Sequence, residues 1–203
     1  MQTPSKITLL AKRTFDLWLC VLLLPGLIPL FLVIGILVKL DGGTIFFLSP
    51  RAGQRRKLFQ AYKFRSMIVE ADKYLDKSGR PTKNRVTWVG KWLRRFSLDE
   101  LPQVINVIKG EMSWVGPRPI LPLDAERIDE KFLPRFDVLP GLTGLAQVNG
   151  RNQLPWSKRF ELDVKYVSEL SLWNDLKIVI KTFKTVLTGA GMSMDRNPQQ
   201  ARK

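Results

Sequence analysis

Two adjacent carboxylates, Asp99 and Glu100, stand in the stretch "SLDELPQ", and Arg118 follows between two prolines in "MSWVGPRP". An aspartate with a reference pKa of about 3.9 is already anionic at neutral pH, so it can attack phosphorus without a base to deprotonate it. Neighbouring residues on a helix point about 100° apart, so one carboxylate can face a substrate while the other holds a cation. A hard Mg²⁺ bound through one or two carboxylates plus substrate phosphate is the usual arrangement for phosphoryl chemistry. Arg118, fixed by its prolines, presents a planar fork suited to phosphate oxygens. The chain has no histidine, which removes the usual neutral-pH general base, the Ser-His and Cys-His nucleophile pairs and imidazole zinc sites. Any catalysis must use carboxylates, basic residues, hydroxyls or a hard metal ion.

The same residues also have a purely structural reading. Ser97 with Glu100 three positions on matches a capping box, and Asp99 can equally be the N-cap of a helix beginning near Pro102. A helix N-terminus at that point would favour an ionised carboxylate and also a bound phosphate beside it. A surface arginine in a turn is the default for "PRP". The local sequence leaves both readings open.

The elements that must position these groups are uneven in character. From Leu17 to Val38 no residue is charged; as one helix this run would measure about 33 Å, against a hydrocarbon core of about 30 Å. It is too long for a signal-peptide core and no A-x-A-like site follows, so it is expected to stay attached. Pro25, Gly26 and Pro29 near its middle predict a sharp break. Lys6, Lys12 and Arg13 precede it and Lys39, Arg51, Arg55, Arg56 and Lys57 follow, so both flanks carry the charge typical of a cytoplasmic face. A re-entrant hairpin satisfies both flanks, and a kinked single-pass helix is the alternative.

Beyond it, "TIFF" and "LFQAYKF" have strand composition, with "SPRAGQ" as the turn between them, which predicts a hairpin. The stretch Arg51 to Arg95 holds 14 Lys and Arg against Glu70, Asp72 and Asp76; most of this charge is expected to be a solvated face. Within it, "WVGKWLRRF" reads as a cationic amphipathic helix suited to a membrane interface, although tryptophans in a core explain it nearly as well. "LPQVINVIKG" predicts a helix with Leu101, Val104, Ile105 and Ile108 on its apolar stripe and Gly110 as its stop. "PRPILP" and "LPGLTGLAQVNG" read as loops. "NDLKIVIKTFKTVLTG" predicts a basic amphipathic helix, with Leu176, Ile180, Phe183 and Leu187 on one face, Lys177, Lys181 and Lys184 on another, and Gly189 closing it.

At 203 residues the chain fits one domain plus an appendage. Its 33 Lys and Arg against 18 Asp and Glu, a formal +15, point to an anionic partner such as nucleic acid, phospholipid or a phosphorylated substrate. Cys20 has no partner in the chain, so no intramolecular disulfide supports the fold. No recognisable nucleic-acid module is present, and a nucleic-acid partner is not expected.

Taken together, "KRTFD", the apolar run, "YKFRSM", "SLDELPQVINVIKGEMSWVGPRP" and "PGLTGLAQVNGR" resemble the bacterial sugar transferases, over about Lys12 to Leu187 and in the family's order. These are monotopic polyprenol-phosphate phosphoglycosyl transferases, and the chain looks like the small form with the catalytic domain alone. The resemblance implies an α+β, mainly helical fold, with a re-entrant membrane helix over residues 1–40, a catalytic domain over 41–190 and a polar tail over 191–203. It implies transfer of a sugar-1-phosphate from a UDP-sugar to undecaprenyl phosphate with release of UMP. Asp99 would be the nucleophile of a covalent phosphosugar intermediate, Glu100 would bind Mg²⁺, and Arg118 would hold phosphates. Lys63 and Arg94 fall on family positions implicated in the site. Pro29 matches the proline of the family's Ser-Pro break, but Ile28 stands in place of the serine and Pro25 offers a second break. The implied setting is the cytoplasmic face of a bacterial inner membrane, among its phospholipids, with downstream glycosyltransferases as possible partners. The competing reading is a membrane-tethered basic protein that binds anionic lipid or nucleic acid without catalysis.

Overall fold

The computed structural model describes residues 5–76, 82–150 and 153–188, and is mainly helical with two small sheets. Helix α1 (Lys6–Leu40) starts on Ser5, whose Oγ accepts the Thr8 amide at 3.1 Å, and ends at Asp41 ahead of Gly42 and Gly43, both at positive φ. Pro25 and Pro29 lie inside it, and it continues through both as one long apolar helix. Each proline lacks the amide that would bond back four residues, so the carbonyls of Val21 and Pro25 lose their helical donors.

One stripe of α1 is packed along its length. Asp16, Leu19 and Cys20 are buried near one end, Ile34 and Val38 near the other, with Leu23, Leu27 and Phe31 partly covered between them. The opposite stripe, including Val21, Ile28, Leu32 and Ile36, is exposed. Polar contacts pin both ends to the same body. Arg13 donates to the carbonyls of Val107 and Ile108, and Arg65 Nη2 donates to the Val38 carbonyl at 2.8 Å.

Strands β1 (Phe46–Ala52) and β2 (Leu58–Phe64) form the expected antiparallel hairpin, with Phe46 opposite Phe64 and Ala52 opposite Leu58. The turn falls later than "SPRAGQ" suggests. Ser49 and Pro50 are inside β1, where a two-stranded sheet leaves Pro50 a free edge, and the reversal runs through Arg55 and Arg56, both at positive φ. Helix α2 (Trp88–Arg95) is capped by Thr87, whose Oγ1 accepts the Gly90 amide at 2.9 Å. Gly90 rests on the backbone of Ser66, where a Cβ would collide with the carbonyl. Trp88 and Trp92 are exposed, as a membrane-facing helix requires.

Helix α3 (Val104–Lys109) stops at Gly110, whose φ of +80° is the left-handed cap the sequence suggests. Its buried stripe differs from the expected one. Val104 and Val107 are buried while Ile108 is exposed, because Asn106 turns inward between them. Asn106 accepts the Tyr62 amide at 3.0 Å and donates to the Gln60 carbonyl at 2.7 Å and to Glu111 at 2.8 Å. This clamp fixes β2 against α3.

Strand β3 (Ser113–Val115) pairs in parallel with β4 (Gly141–Thr143), and helices α4 (Pro122–Glu126), α5 (Leu145–Val148), α6 (Trp156–Ser168) and α7 (Leu172–Thr188) complete the described elements. "LPGLTGLAQVNG", expected to be loop, therefore contains a strand and a short helix. Its glycines serve close approach: a Cβ on Gly116 or Gly141 would strike the other segment's backbone. In α7 the inward side is Asp175 and Ile178, while Ile180 and Phe183 of the expected apolar face are exposed. The expectations on Leu187, Gly189 and the tail fall outside the residues whose side chains are described.

Candidate active site

Asp99 and Glu100 lie on a single 3-10 turn, Leu98–Gln103, entered through Ser97 at φ +56°. An N-cap requires extended backbone, which a left-handed Ser97 does not supply. Its side chain caps nothing, and α3 begins only after Gln103, so neither the capping box nor an Asp99 cap forms. The turn instead presents its two acids to β2 and to the loop after β3.

Glu100 is tightly held. Lys63 Nζ donates to its Oε1 at 2.6 Å, Arg118 Nη2 to the same oxygen at 2.5 Å, and Arg118 Nη1 to Oε2 at 2.9 Å. Burial pushes the Glu100 carboxyl up, but the charges and hydrogen bonds of Arg118 and Lys63 outweigh it and hold it well below the usual range. Lys63 is lowered by burial against the pull of Glu100. Arg118 is raised, chiefly by Glu100.

Asp99 is the opposite case. Among the described residues its carboxylate accepts no hydrogen bond and forms no ion pair, and it is partly exposed. Burial first and the Glu100 charge second raise its carboxyl, against Lys63, Arg94 and Arg118. Arg94 is steadied by Ser66, whose Oγ accepts Nε at 2.9 Å. All four functional side chains expected around Asp99 thus converge on it. Pro25 and Pro29 stay in α1, outside the cluster. Ser66 and Asn106 were not singled out by sequence, since their roles depend on partners distant in the chain.

No cluster of three or more acidic or cysteine side chains suited to a metal occurs among the described residues. The donor chemistry nevertheless fits a hard cation that draws most of its ligands from substrate phosphate and water, once Arg118 or Lys63 releases an oxygen of Glu100.

The family model described as "Bacterial sugar transferase" matches residues 7–189. The chain belongs to the bacterial sugar transferases. This sugar transferase is 43% identical over 188 residues to the uncharacterized sugar transferase EpsL of Bacillus subtilis, covering 91% of each chain. It is 41% identical to the undecaprenyl-phosphate glucose phosphotransferase of Komagataeibacter xylinus, over 89% of this chain and 36% of that one. It is 40% identical to the undecaprenyl-phosphate galactose phosphotransferase of Salmonella typhimurium, over 89% of this chain and 41% of that one. The sugar transferase is therefore an enzyme, and the reading as a binding protein without catalysis is set aside.

Proposed function

We propose that this sugar transferase moves a sugar-1-phosphate from a UDP-sugar to undecaprenyl phosphate in two displacements at phosphorus. The observation that carries the reading is the contrast at the site: an Asp99 carboxylate among cations with no hydrogen bond or ion pair among the described residues, beside a Glu100 fixed by three hydrogen bonds. The names of the Komagataeibacter and Salmonella relatives support both the phosphate-linked sugar and the lipid acceptor.

In the first displacement an Asp99 oxygen attacks the phosphorus that bears the sugar. The bond from that phosphorus to the bridging oxygen breaks, and the bridging oxygen leaves with UMP. In the second, an oxygen of undecaprenyl phosphate attacks the same phosphorus, and the acyl-phosphate bond to Asp99 breaks. Lys63, Arg94 and Arg118 favour the ionised form of Asp99 against burial and the Glu100 charge, which suits a nucleophile in a chain lacking histidine. The Arg118 fork exchanges a carboxylate oxygen of Glu100 for phosphate oxygens, and Lys63 and Arg94 offset charge that develops at phosphorus. Mg²⁺, held by Glu100 and substrate phosphate, would supply further neutralisation of the diphosphate when bound.

Two displacements let the nucleotide leave before the lipid enters. The anchor fits this order. Both ends of α1 are pinned to one body, whereas a single crossing would separate them by a bilayer. This supports reading the chain as monotopic on the cytoplasmic face, with Trp88 and Trp92 of α2 and Ile180 and Phe183 of α7 at headgroup depth, although α1 runs through Pro25 and Pro29 as one helix and does not reverse there as the expected hairpin would. The lipid-linked product would start glycan assembly by downstream glycosyltransferases. Purified protein with Mg²⁺, undecaprenyl phosphate and a panel of UDP-sugars tests the reading: UMP release with a particular donor is expected, and UDP release would overturn it.

A further inference from the structure

A second ion pair lies behind the Arg118 loop. Arg135, in the 3-10 turn Glu130–Phe136, is 3% exposed, and Asp163 in α6 is 2% exposed. Arg135 donates to Asp163 Oδ2 from Nε at 3.1 Å and from Nη2 at 2.8 Å, and Nη2 also donates to the main-chain carbonyl of Arg118 at 2.7 Å. The rings of Phe136 and Phe160 flank the guanidinium at 5.1 and 5.0 Å. The head group is thus fixed in orientation as well as in charge.

Stability alone explains this arrangement poorly. Two charges are taken out of water, Asp163 Oδ1 is buried with no partner among the described residues, and a packed apolar pair of similar volume is often no less stable. Backbone bonds hold the loop on either side of Arg118, from the Gly141 amide to the Pro117 carbonyl and from the Ala52 amide to the Ile120 carbonyl. A small void of about 10 Å³ has Pro117, Arg118, Arg135 and Pro140 among its walls. The bond from Arg135 is the polar tie that reaches across to the Arg118 main chain, while the Arg118 side chain forks onto Glu100.

We propose that Arg135, oriented by Asp163, is a positioning residue: it fixes the Arg118 main chain so that the Arg118 fork meets its oxygen acceptors in productive geometry. The proposal rests on the reading of Arg118 as a phosphate-binding group. Misplacement of such a group by about 1 Å can cost a reaction roughly 100-fold. Arg135→Lys retains a cation for Asp163 but lacks the fork that serves Asp163 and the Arg118 carbonyl together.

The test is a double-mutant cycle on the full chain in detergent, with kcat and KM for the donor read from nucleotide release and folding checked by thermal melting. Arg135→Lys is expected to lower kcat/KM about 10-fold to 100-fold in protein that still melts cooperatively. In an Arg118→Lys background the same change should have little further effect, since its target is already lost. Losses that multiply across the cycle would overturn the proposal, as would full kcat/KM in Arg135→Lys. If that variant does not fold, Asp163→Asn carries the same cycle with the same expectation. Should the wild type release UDP in place of UMP, the two-displacement reading fails, and the cycle is still read on UDP.

Discussion

The molecule holds two networks each built around a lysine–carboxylate pair, Lys12 with Asp175 and Lys63 with Glu100, and they end in opposite states. At the base of α1, Lys12 donates to Asp175 Oδ2 at 2.6 Å, Tyr166 donates to its Oδ1 at 2.8 Å, and Asp16 accepts from Ser113 and from the Trp114 amide. The side chains of Lys12 and Asp175 are 5% and 0% exposed. Every acid there has at least two donors. At the second network the Arg118 side chain is 36% exposed, Glu100 takes three hydrogen bonds, and Asp99 takes none from the described residues. A carboxylate buried and held by two donors, as Asp16 and Asp175 are, can staple a helix but is closed off from a substrate phosphorus. The sealed network holds the anchor to the domain, and the open one keeps a nucleophile available.

The largest test of that contrast is Asp99→Asn. Turnover should fall by roughly 10,000-fold or more, as for other nucleophile replacements, with no loss of thermal stability because no bond is broken. A variant with substantial turnover would place the chemistry elsewhere. Lys12→Met should do the reverse. Breaking a buried pair from one side costs about 3–5 kcal/mol, read as a lower denaturant midpoint, while donor KM in the folded fraction stays unchanged. A raised KM would show that the anchor network reaches the site.

The Arg135–Asp163 pair stands between the two networks, sealed like the first and tied to the second. Burial pushes the Asp163 carboxyl up to about 6, against the pull of Arg135. The folded state therefore binds its proton where the unfolded chain has already released it. This contribution to stability is fully present below about pH 4 and lost as pH rises through about 6. Asp163→Asn removes it, so the variant should gain on the wild type by up to roughly 3 kcal/mol between those limits, measured by denaturation at each pH. A flat difference would contradict the assignment. The smallest expected effect is Arg118→Lys, which keeps the cation and loses the fork: kcat/KM should fall about 10-fold to 100-fold, with folding intact.

How much of this was legible depended on sequence distance. Asp99, Glu100 and Arg118 stand out because reactive residue types crowd into a short segment, and the Gly110 stop and the β1–β2 hairpin follow from local backbone preferences. The inward turn of Asn106, the pairing of Arg135 with Asp163 and the support of Arg94 by Ser66 left no local trace, since each is defined by a partner from another element. The capping reading of Ser97 was a sound local pattern overridden by a left-handed backbone. "PGLTGLAQ" looked like loop because its glycines answer to backbone crowding between β3 and β4, which periodicity does not register.

Intact-protein and peptide mass spectrometry, after incubation with Mg²⁺ and the UDP-sugar that supports turnover but without the lipid acceptor, would reveal whether Asp99 carries the sugar phosphate. A sugar-phosphate adduct is expected on the peptide containing Asp99, formed with one equivalent of UMP and discharged when undecaprenyl phosphate is added. An unmodified Asp99 peptide in protein that turns over once lipid is present would contradict it.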